Sequence, residues 1–434
     1  MEKNFVSQYN FWSVGQGLFV TMKFNDINVV YDCGSVQKKL VDRQVEKYVE
    51  TLPADKKVNI IFISHFHEDH INGIFKLLEC INKVDYVFIP YIPLPNRIYI
   101  LMNLLKNLNY LRDNHVIRLV EFIFDPLSYI EENFSNKVGE RVVVVIEGKE
   151  KRDDEGGDNI SEKRGLNINR RAFFDEGSFE AGLANRIEVF DTGKKLYNSN
   201  YPISISEIEK GRPTKFIDIR CFNYIGIEDL RKMEEGLEEF KKEIIKITQG
   251  KKGKELVRRL LEERKMIKNL YEHLNKKIKC GNFNHTSLCV LINDNIKELA
   301  KKVQIHSLEK WNWCSGCCIE KIESINFYNK ELFTTLLTGD INLKNKKIRN
   351  KLLSHFKLRQ LSAMNSISEK EIDLFVVPHH GSKSSWSNEM LKYCDELCIL
   401  LFPITCRCFA RFGEFPSSDV RSELKKKYFR FSLI

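Results

Sequence analysis

Four residues of types that bind metal ions lie within a stretch of six, directly after a short apolar run typical of a buried strand. Residues 64–70 read Ser-His-Phe-His-Glu-Asp-His. Because side chains two residues apart on an extended chain point the same way, His65 and His67 can share one ion. Asp69 and His70, in the first turn of a following helix, can reach a second ion. A polar helix start with incidental histidines is the alternative, but this density and spacing favour metal binding.

The chemistry of these ligands indicates which metals and which reactions the segment suits. Neutral imidazole and carboxylate groups suit Zn²⁺ and also Mn²⁺. Two such ions, roughly 3.5–4 Å apart, bind a hydroxide at neutral pH and stabilise the entering and leaving oxygens of a hydrolysis. The sequence therefore predicts two divalent metal ions as cofactors.

Length and composition exclude several classes of protein. The chain has 434 residues with a hydrophobic fraction of 43%, which is enough for a sizeable core. No apolar run approaches the roughly 20 residues of a membrane-spanning helix, and the N-terminus lacks the apolar region of a secretory signal. We therefore expect a cytoplasmic protein without a membrane partner. Its 12 cysteines would be reduced there, and the group Cys314, Cys317 and Cys318 would be buried thiols or part of a zinc site.

The chain is basic, with 69 Lys and Arg residues against 59 Asp and Glu residues and a formal net charge of +10. A basic surface favours polyanions such as nucleic acid, although many basic proteins bind none. Two groups of basic residues are prominent: Lys344, Lys346, Lys347, Arg349 and Lys351, and near the C-terminus Arg407, Arg411, Lys425, Lys426 and Lys427. A cationic rim around a metal cleft is one interpretation, and ordinary solvated helix faces are the other.

The patterning of the chain indicates how its elements are organised. Strand-like runs separated by glycine turns open the chain, as in an antiparallel meander. Residues 147–171 combine glycine with both charges and almost no core residues, so we predict an exposed, mobile loop there. Residues 226–279 carry apolar positions at helical spacing on both sides of a glycine-containing turn, which predicts a helical hairpin. The hairpin is either a packing element or an arm for a partner or for nucleic acid.

The motif at residues 65–70 resembles the hallmark of the metallo-β-lactamase-fold hydrolases. Three further segments, in the expected order, are similar to other parts of that family: Val-Tyr-Asp-Cys-Gly at 30–34, Leu-Leu-Thr-Gly-Asp at 336–340 and Phe-Val-Val-Pro-His-His-Gly-Ser at 375–382. The resemblance implies an α/β (α+β) fold, a four-layered αββα sandwich formed by one domain over residues 1–434. Residues 81–279 would then be a large insertion that includes the helical hairpin.

Three of these features narrow the resemblance to the ComEC-type branch, related to the hydrolase domain of a bacterial DNA-uptake channel. They are the Gly-Gln-Gly turn at 15–17, the Thr-Gly-Asp segment and the Pro-His-His-Gly-Ser loop. Nuclease activity is the expectation for that branch. Phe415 stands where the branch has a histidine, so one group on the substrate or metal side is missing.

The resemblance also implies the metal ligands and catalytic residues. The implied ligands are His65, His67, Asp69, His70, Asp340 as the bridge between the ions, and His379 on the second ion. His379 is preferred to His380 because it lies nearer the end of its strand. His380 would point into the cleft, where it binds a phosphate or protonates a leaving oxygen, or else it only holds the loop. Asp69 and His380 are thus the candidate catalytic residues.

The surroundings of the metal site are implied in less detail. Either Asn284 or His285 could complete the first metal, and His285 is a ligand or else a surface residue. Asp32 is expected to orient a ligand histidine from behind. Ser382 and Lys383 would add hydrogen-bond donors and a positive charge for a phosphate at the mouth of the site.

Together these inferences favour a dinuclear-metal-dependent phosphodiesterase that hydrolyses DNA or RNA by a metal-bound hydroxide. By analogy, it would be the effector of a bacterial anti-phage defence system, with a sensor or ATPase subunit docked on residues 81–279. One alternative is a small-molecule hydrolase of lactone, thioester or lactam bonds. The other is an effector that is inactive without its partner.

Overall fold

The structure is a computed structural model. It describes residues 7–106, 114–138, 142–146, 166–168, 196–199, 203–209, 212–224, 227–278, 287–294, 301–306, 324–327, 332–358, 371–403 and 430–433, together with single residues at 417, 420 and 422.

Strands account for both inner layers of the molecule. The strands in these ranges are β1 (Ser7–Trp12), β2 (Phe19–Phe24), β3 (Ile27–Cys33), β4 (Lys57–Phe62), β5 (Lys83–Pro90), β6 (Val142–Ile146), β7 (Leu166–Ile168), β8 (Leu196–Asn198), β9 (Ile203–Glu209), β10 (Arg212–Asn223), β11 (Leu288–Asp294), β12 (Lys301–His306), β13 (Ser324–Phe327), β14 (Phe333–Leu337), β15 (Ile372–Val376), β16 (Cys394–Phe402) and β17 (Arg430–Leu433).

Helices account for the outer layers. They are α1 (Lys38–Thr51), α2 (Glu68–Ile71), α3 (Ile74–Cys80), α4 (Leu94–Leu104), α5 (Asn114–Phe124), α6 (Pro126–Val138), α7 (Ile227–Thr248), α8 (Gly253–Glu262), α9 (Arg264–Ile278) and α10 (Lys346–Phe356). Short 3-10 helices follow at Pro378–Gly381 and Asn388–Tyr393.

The strands form two sheets. Among the described residues the first sheet has the strand order β13-β12-β1-β2-β3-β4-β5-β6-β8, and the second has the order β17-β16-β15-β14-β11-β10-β9-β7. In the first sheet β1, β2 and β3 pair antiparallel, as the predicted meander requires, and β3 to β6 pair parallel. In the second sheet β14 to β17 pair parallel.

Three apolar cores separate four layers. The first core lies between the first sheet and helices α1 to α9, the second lies between the two sheets, and the third lies between the second sheet and α10. Alternation along each strand supplies two of these cores at once: Ile60 faces the second sheet, whereas the next residue, Ile61, packs beneath the helices. This arrangement confirms the predicted αββα sandwich and is consistent with the metallo-β-lactamase fold.

The segment 81–279 contributes to both kinds of layer. It supplies β5, β6 and β8 to the first sheet and β7, β9 and β10 to the second. The predicted hairpin consists of α7, which returns through α8 and α9, and its apolar side chains, such as Ile244 and Leu260, are buried in the first core. Treating 81–279 as an insertion into one domain stays a prediction. Residues 147–165 and 169–171 of the predicted loop lie outside the described residues, and 166–168 form β7.

None of the helices in the described part of the chain combines the length and the apolar character needed to cross a membrane.

Candidate metal centre

Strand ends from both sheets meet at one edge of the sandwich. Because β3 and β4 pair parallel, as do β14 and β15, the carboxyl ends of each pair lie at the same edge. Two hydrogen bonds join the sheets there: the Leu288 N–H donates to the Ser64 carbonyl (2.7 Å), and the Tyr31 hydroxyl donates to the Leu288 carbonyl (2.8 Å). The segments after β4, β14 and β15 carry the candidate ligands, so the fold brings them together.

Two glycines let these segments approach closely. A Cβ on Gly34 would lie 2.3 Å from the carbonyl carbon of His70, so the turn after β3 can contact α2 only with glycine there. Gly339 has a φ of 55°, and a Cβ on it would lie 2.7 Å from the Ser64 side chain. A left-handed backbone and a close approach both favour glycine. Gly339 therefore lets the segment of Asp340 lie against the end of β4, and Gly34 lets the helix of His70 lie against the turn after β3.

Asp340 lies between two groups of ligand residues, and each carboxylate oxygen faces a different group. Its Oδ2 is 3.2 Å from His65 Nε2 and 3.7 Å from His67 Nδ1. Its Oδ1 is 3.4 Å from His70 Nε2. The Asp340 backbone N–H donates to Ser287 Oγ (3.1 Å), which holds the turn after β14. The two oxygens of Asp340 thus face different histidines, and its role as a bridge between two ions stays a prediction.

Asp32 contacts the ligand histidines from behind. Its Oδ2 is 2.8 Å from His70 Nδ1, and its two oxygens accept from the backbone N–H and the hydroxyl of Ser64, each at 2.6 Å. The Ser64 hydroxyl is also 2.8 Å from His65 Nδ1. A carboxylate that accepts the Nδ1 proton of His70 leaves the Nε2 lone pair directed toward a metal. Asp32 therefore contacts His70, and the role of His70 as a metal ligand stays a prediction.

The donor set fits divalent metal ions. Three atoms that face one another, His65 Nε2, His70 Nε2 and Asp340 Oδ1, are buried and have no hydrogen-bond partner among the described residues. Leaving such groups unpaired is costly, and metal coordination would satisfy all three. In the described part of the chain, three groups of possible ligands have their ligand atoms within 4.8 Å of one another: His65, His67 and Asp340; His65, Asp69 and His70; and His70, Asp340 and His380.

Electrostatics at this centre are dominated by three largely buried carboxylates, Asp32, Asp69 and Asp340. Burial and the neighbouring His70 lower the pKa of His65 to about 4. Burial opposes charge on His70 as well, but the surrounding carboxylates outweigh it and raise the pKa of His70 well above its usual value. Burial pushes the pKa of Asp340 upward, yet His65 and His70 hold it well below its usual range. A centre in which three carboxylates are gathered in this way favours a cation.

The structure exchanges the expected positions of two adjacent histidines. His380 is buried, its Nε2 is 3.0 Å from Asp69 Oδ2, and its Nδ1 is 2.6 Å from the Pro403 carbonyl oxygen. Because a carbonyl can only accept, Nδ1 carries the proton, and Nε2 is the nitrogen suited to a metal. His379 is half-buried, and its Nδ1 lies instead 3.1 Å from Ser385 Oγ.

The backbone explains this exchange. His379 and His380 have φ values of 49° and 54°, in the left-handed region that side chains rarely adopt. The turn therefore rotates the first ring away from Asp69 and the second ring toward it. The expectation for His379 rested on its distance from the end of the strand. In a turn of this kind, that distance does not determine where a side chain points. In this geometry His380, rather than His379, has its ring nitrogen beside the other possible ligand atoms.

The other predicted residues have mixed outcomes. Ser382 is buried with its Oγ 2.7 Å from Ser384 Oγ, so its hydroxyl bonds within the loop, whereas Lys383 is exposed. His285 and Phe415 lie outside the described residues, as does the cysteine cluster within 314–318, and their roles stay predictions.

Three partners in this network were not anticipated from the sequence. Ser64 bonds both Asp32 and His65, Ser385 bonds His379, and the Pro403 carbonyl bonds His380. Ser64 and Ser385 adjoin ligand motifs, so a polar residue beside a motif was an available signal. The Pro403 carbonyl had none, because any residue type offers a carbonyl oxygen.

Comparison with known proteins supports this class of site. Residues 14–131 match the model of the Metallo-beta-lactamase superfamily, so this part of the chain is similar to that superfamily. That span includes the complete 65–70 motif. Together with the His/Asp clusters, the match supports a metal-dependent hydrolase.

Other comparisons add little. No curated protein sequence matches the chain. Among solved structures, human tRNase Z, short form (ELAC1), is similar over 98% of this chain and 90% of that chain, with 10% sequence identity and a TM-score of 0.31. A likeness at that score is too low to argue from. The ComEC-type branch is not confirmed.

Proposed function

We infer that this protein is a phosphodiesterase that holds two divalent metal ions and hydrolyses DNA or RNA. The observation that carries the proposal is the position of Asp340, whose two carboxylate oxygens face different histidine groups. A carboxylate shared in this way is what a two-ion site requires. The net charge of +10 adds that a polyanion is a suitable substrate.

The two ions would be held by overlapping sets of residues. His65, His67 and Asp340 would hold the first, with a further ligand from 284–285 as proposed from the sequence. Asp69, His70 and His380 would hold the second together with Asp340. When bound, two such ions supply a nucleophile at neutral pH and stabilise charge on the entering and leaving oxygens.

Residues of the chain orient this site. Asp32 keeps the Nδ1 proton of His70, and the Pro403 carbonyl keeps that of His380, so each ring presents Nε2 to the centre. These contacts support Asp69 and His380 as ligands rather than as proton donors. The phosphate-facing role first expected of His380 therefore passes to His379, which adjoins the ligand set and is half-buried. Lys383 would supply positive charge beside it.

Metal loading and substrate choice test the proposal together. The full-length protein should contain about two equivalents of Zn²⁺ or Mn²⁺ by mass spectrometry of its metals. It should then cleave bis(p-nitrophenyl) phosphate and at least one of plasmid, linear duplex and single-stranded DNA or RNA. The same assays on His67→Ala control for a contaminating nuclease. Activity that His67→Ala retains in full would contradict the proposal.

The small-molecule alternative has a different signature. Hydrolysis of a lactone, thioester or lactam would not weaken with salt, whereas phosphate-driven binding must. Turnover of such esters or amides, with no cleavage of any phosphodiester, would replace the proposed function with that alternative.

The finer proposals concern the partner. An anti-phage effector role, with a sensor or ATPase subunit docked on 81–279, is supported by the resemblance alone. It predicts that cleavage requires or increases with that subunit. Full activity of the isolated chain that no co-expressed subunit changes would argue against it.

A further inference from the structure

We propose that one outer layer of the molecule binds the phosphates of an extended nucleic-acid strand that enters the metal centre. The surface consists of Lys346, Lys347 and Lys383 and is called the lysine surface below. All three side chains are exposed. The inference rests on the proposed function and names its substrate class: a polynucleotide held at several phosphates, rather than a small nucleotide held only at the reacting one.

The two segments that carry the lysine surface contain basic residues but no acidic residue. Residues 341–358, which connect the candidate bridging carboxylate to α10 and run through that helix, contain six basic residues and no acidic residue: Lys344, Lys346, Lys347, Arg349, Lys351 and Lys357. The site loop at 379–388 contains one lysine and no acidic residue. A stretch with many basic residues and no carboxylate of its own produces a positive potential, which attracts an external anion.

Three of these basic residues have structural roles instead. Lys344 Nζ donates to the Lys383 carbonyl (3.3 Å), and Arg349 Nη1 donates to the Leu343 carbonyl (2.9 Å) and to Ser387 Oγ (3.1 Å). Lys351 Nζ lies 5.1 Å from the centre of the Tyr224 ring. Lys344 and Arg349 therefore fasten the site loop to α10, which places the lysine surface in fixed register with the metal centre.

The direction of α10 leaves the other lysines facing outward. Ile348, Leu352 and Phe356 form the buried side of the helix in the third core. Lys346 and Lys347 lie off that side and are exposed. Their helix begins with Asn345, whose side chain accepts from the Lys347 and Ile348 N–H groups, so the first turn is already capped and the lysine side chains are what remains for a ligand.

The lysine surface lies within reach of a strand bound at the metals. Lys383 is three residues from His380 and Lys346 is six residues from Asp340, which puts both within roughly 10–20 Å of the ligand set. A nucleic-acid strand rises about 3.4 Å per nucleotide, so this span corresponds to about three to six nucleotides. The lysine surface would therefore contact phosphates beyond the reacting one.

Lysine side chains favour contacts to the phosphate backbone of the nucleic acid over recognition of its bases. Lysines contact phosphates without reading sequence, whereas base stacking needs exposed aromatic rings. Within the described ranges the exposed large apolar side chains are Val36, Tyr99, Ile245 and Met266, and the one aromatic residue, Tyr99, lies in the opposite outer layer and stacks on Tyr271. Binding should therefore depend strongly on salt and little on sequence.

The opposite outer layer provides a matched control. Its helices α8 and α9 are also rich in lysine and arginine, but these residues alternate with acids: Arg258 lies 2.7 Å from Glu255, and Lys268 lies 3.7 Å from Glu272. Lys254, Lys265 and Lys268 are exposed there. Replacing them removes the same charge from the other side of the two sheets.

The test compares two triple variants of the full-length protein, both in a His67→Ala background that prevents cleavage and both measured in buffer containing Mn²⁺. One carries K346A, K347A and K383A; the other carries K254A, K265A and K268A. Anisotropy of a fluorescent 20-nucleotide single strand measures Kd between about 50 and 200 mM salt. The first triple should raise Kd about tenfold or more at low salt and lower the salt slope by about 2, whereas the second should change Kd less than about twofold.

The outcomes separate the two proposals. Equal weakening by both triples would mean that only net charge matters, and an unchanged Kd in the first triple would mean that α10 binds no phosphate; either result overturns the lysine surface. Thermal unfolding checks that each variant remains folded. If either triple variant does not fold, the Kd of K346A alone is compared with the Kd of K265A alone. Failure of the proposed function would be seen in a different experiment: the wild-type protein would show no metal-dependent hydrolysis of bis(p-nitrophenyl) phosphate.

Discussion

Two groups of buried carboxylates lie at opposite edges of the same sandwich, and they differ in how the protein satisfies them. The metal centre lies at the carboxyl ends of β14 and β15. At the amino ends of these strands a second group, called the distal cluster, contains Asp294 and Asp373, both almost fully buried. Both edges bury acids, yet the surroundings of those acids are not alike.

The distal cluster is hydrogen-bonded by the protein itself. Asp373 Oδ2 accepts from the Thr334 backbone N–H (2.7 Å), and Asp294 Oδ2 lies 3.5 Å from the Tyr9 hydroxyl. Burial first, and Asp294 next, raise the pKa of Tyr9 well above its usual value, so the phenol stays neutral and donates. In the metal centre, by contrast, Asp340 Oδ1 has no such partner among the described residues. A buried acid indicates a cation site where its oxygens face other unsatisfied ligand atoms.

The largest expected effect follows from removing the shared carboxylate. Asp340→Ala should abolish metal binding and reduce hydrolysis of bis(p-nitrophenyl) phosphate on the order of 10³-fold or more, because both ions lose a ligand. Metal analysis and the rise in thermal midpoint with added Mn²⁺ measure the loss directly. A variant that keeps two equivalents of metal would show that Asp340 does not bridge them.

The paired histidines give a sharper test of the same centre. His380→Ala should lose about one equivalent of metal, because its Nε2 faces Asp69, whereas His379→Ala should keep both. Metal analysis of the two variants side by side is the measurement. His379→Ala should still lower kcat/KM on nucleic acid if that ring faces phosphate. Loss of metal in His379→Ala and not in His380→Ala would restore the sequence-based assignment.

An intermediate effect on metal binding is expected from Asp32, which contacts His70 on the side away from the other ligand residues. Asp32→Asn should weaken metal affinity by about 10–100-fold, because an amide holds the Nδ1 proton of His70 less well than a carboxylate does. Competition with a fluorescent chelator gives the affinity. Since Asn preserves the shape of the side chain, the thermal midpoint without metal serves as the control for folding. Unchanged affinity would mean that Asp32 only holds the turn after β3.

The distal cluster should show the smallest effect on the metal centre. Asp373→Ala leaves the buried Thr334 N–H unsatisfied and should lower the free energy of unfolding by about 1–3 kcal/mol, while metal content stays at the wild-type value. Denaturant unfolding measures the loss of stability, and metal analysis measures the metal content. If Asp373→Ala also lost metal, the two carboxylate groups would be coupled, and the contrast between the edges would fail.

Much of the fold was predictable from the sequence because it follows local patterns. Alternation in residues such as Ile60 and Ile61 marks strands with two covered faces, and the apolar spacing that includes Ile244 marks a helix. The sheet order was not predictable, since β1 pairs with β12, nearly 300 residues later along the chain. Within 81–279 the sequence predicted strands near β5 and β6 only. Of the strands that were missed, β8 is three residues long, too short to carry a pattern.

The sequence by itself indicated which chemistry the candidate site suits. Histidine and aspartate at this spacing within 65–70 predict binding of divalent metals. On an extended chain, side chains two residues apart point to the same side, whereas adjacent side chains point to different sides. Only the tertiary structure decided which histidine of the later pair lies beside Asp69 and where Asp340 lies. Those positions depend on left-handed backbone angles at His379 and His380 and on contacts between segments far apart in the chain. Local residue patterns carry no information about either.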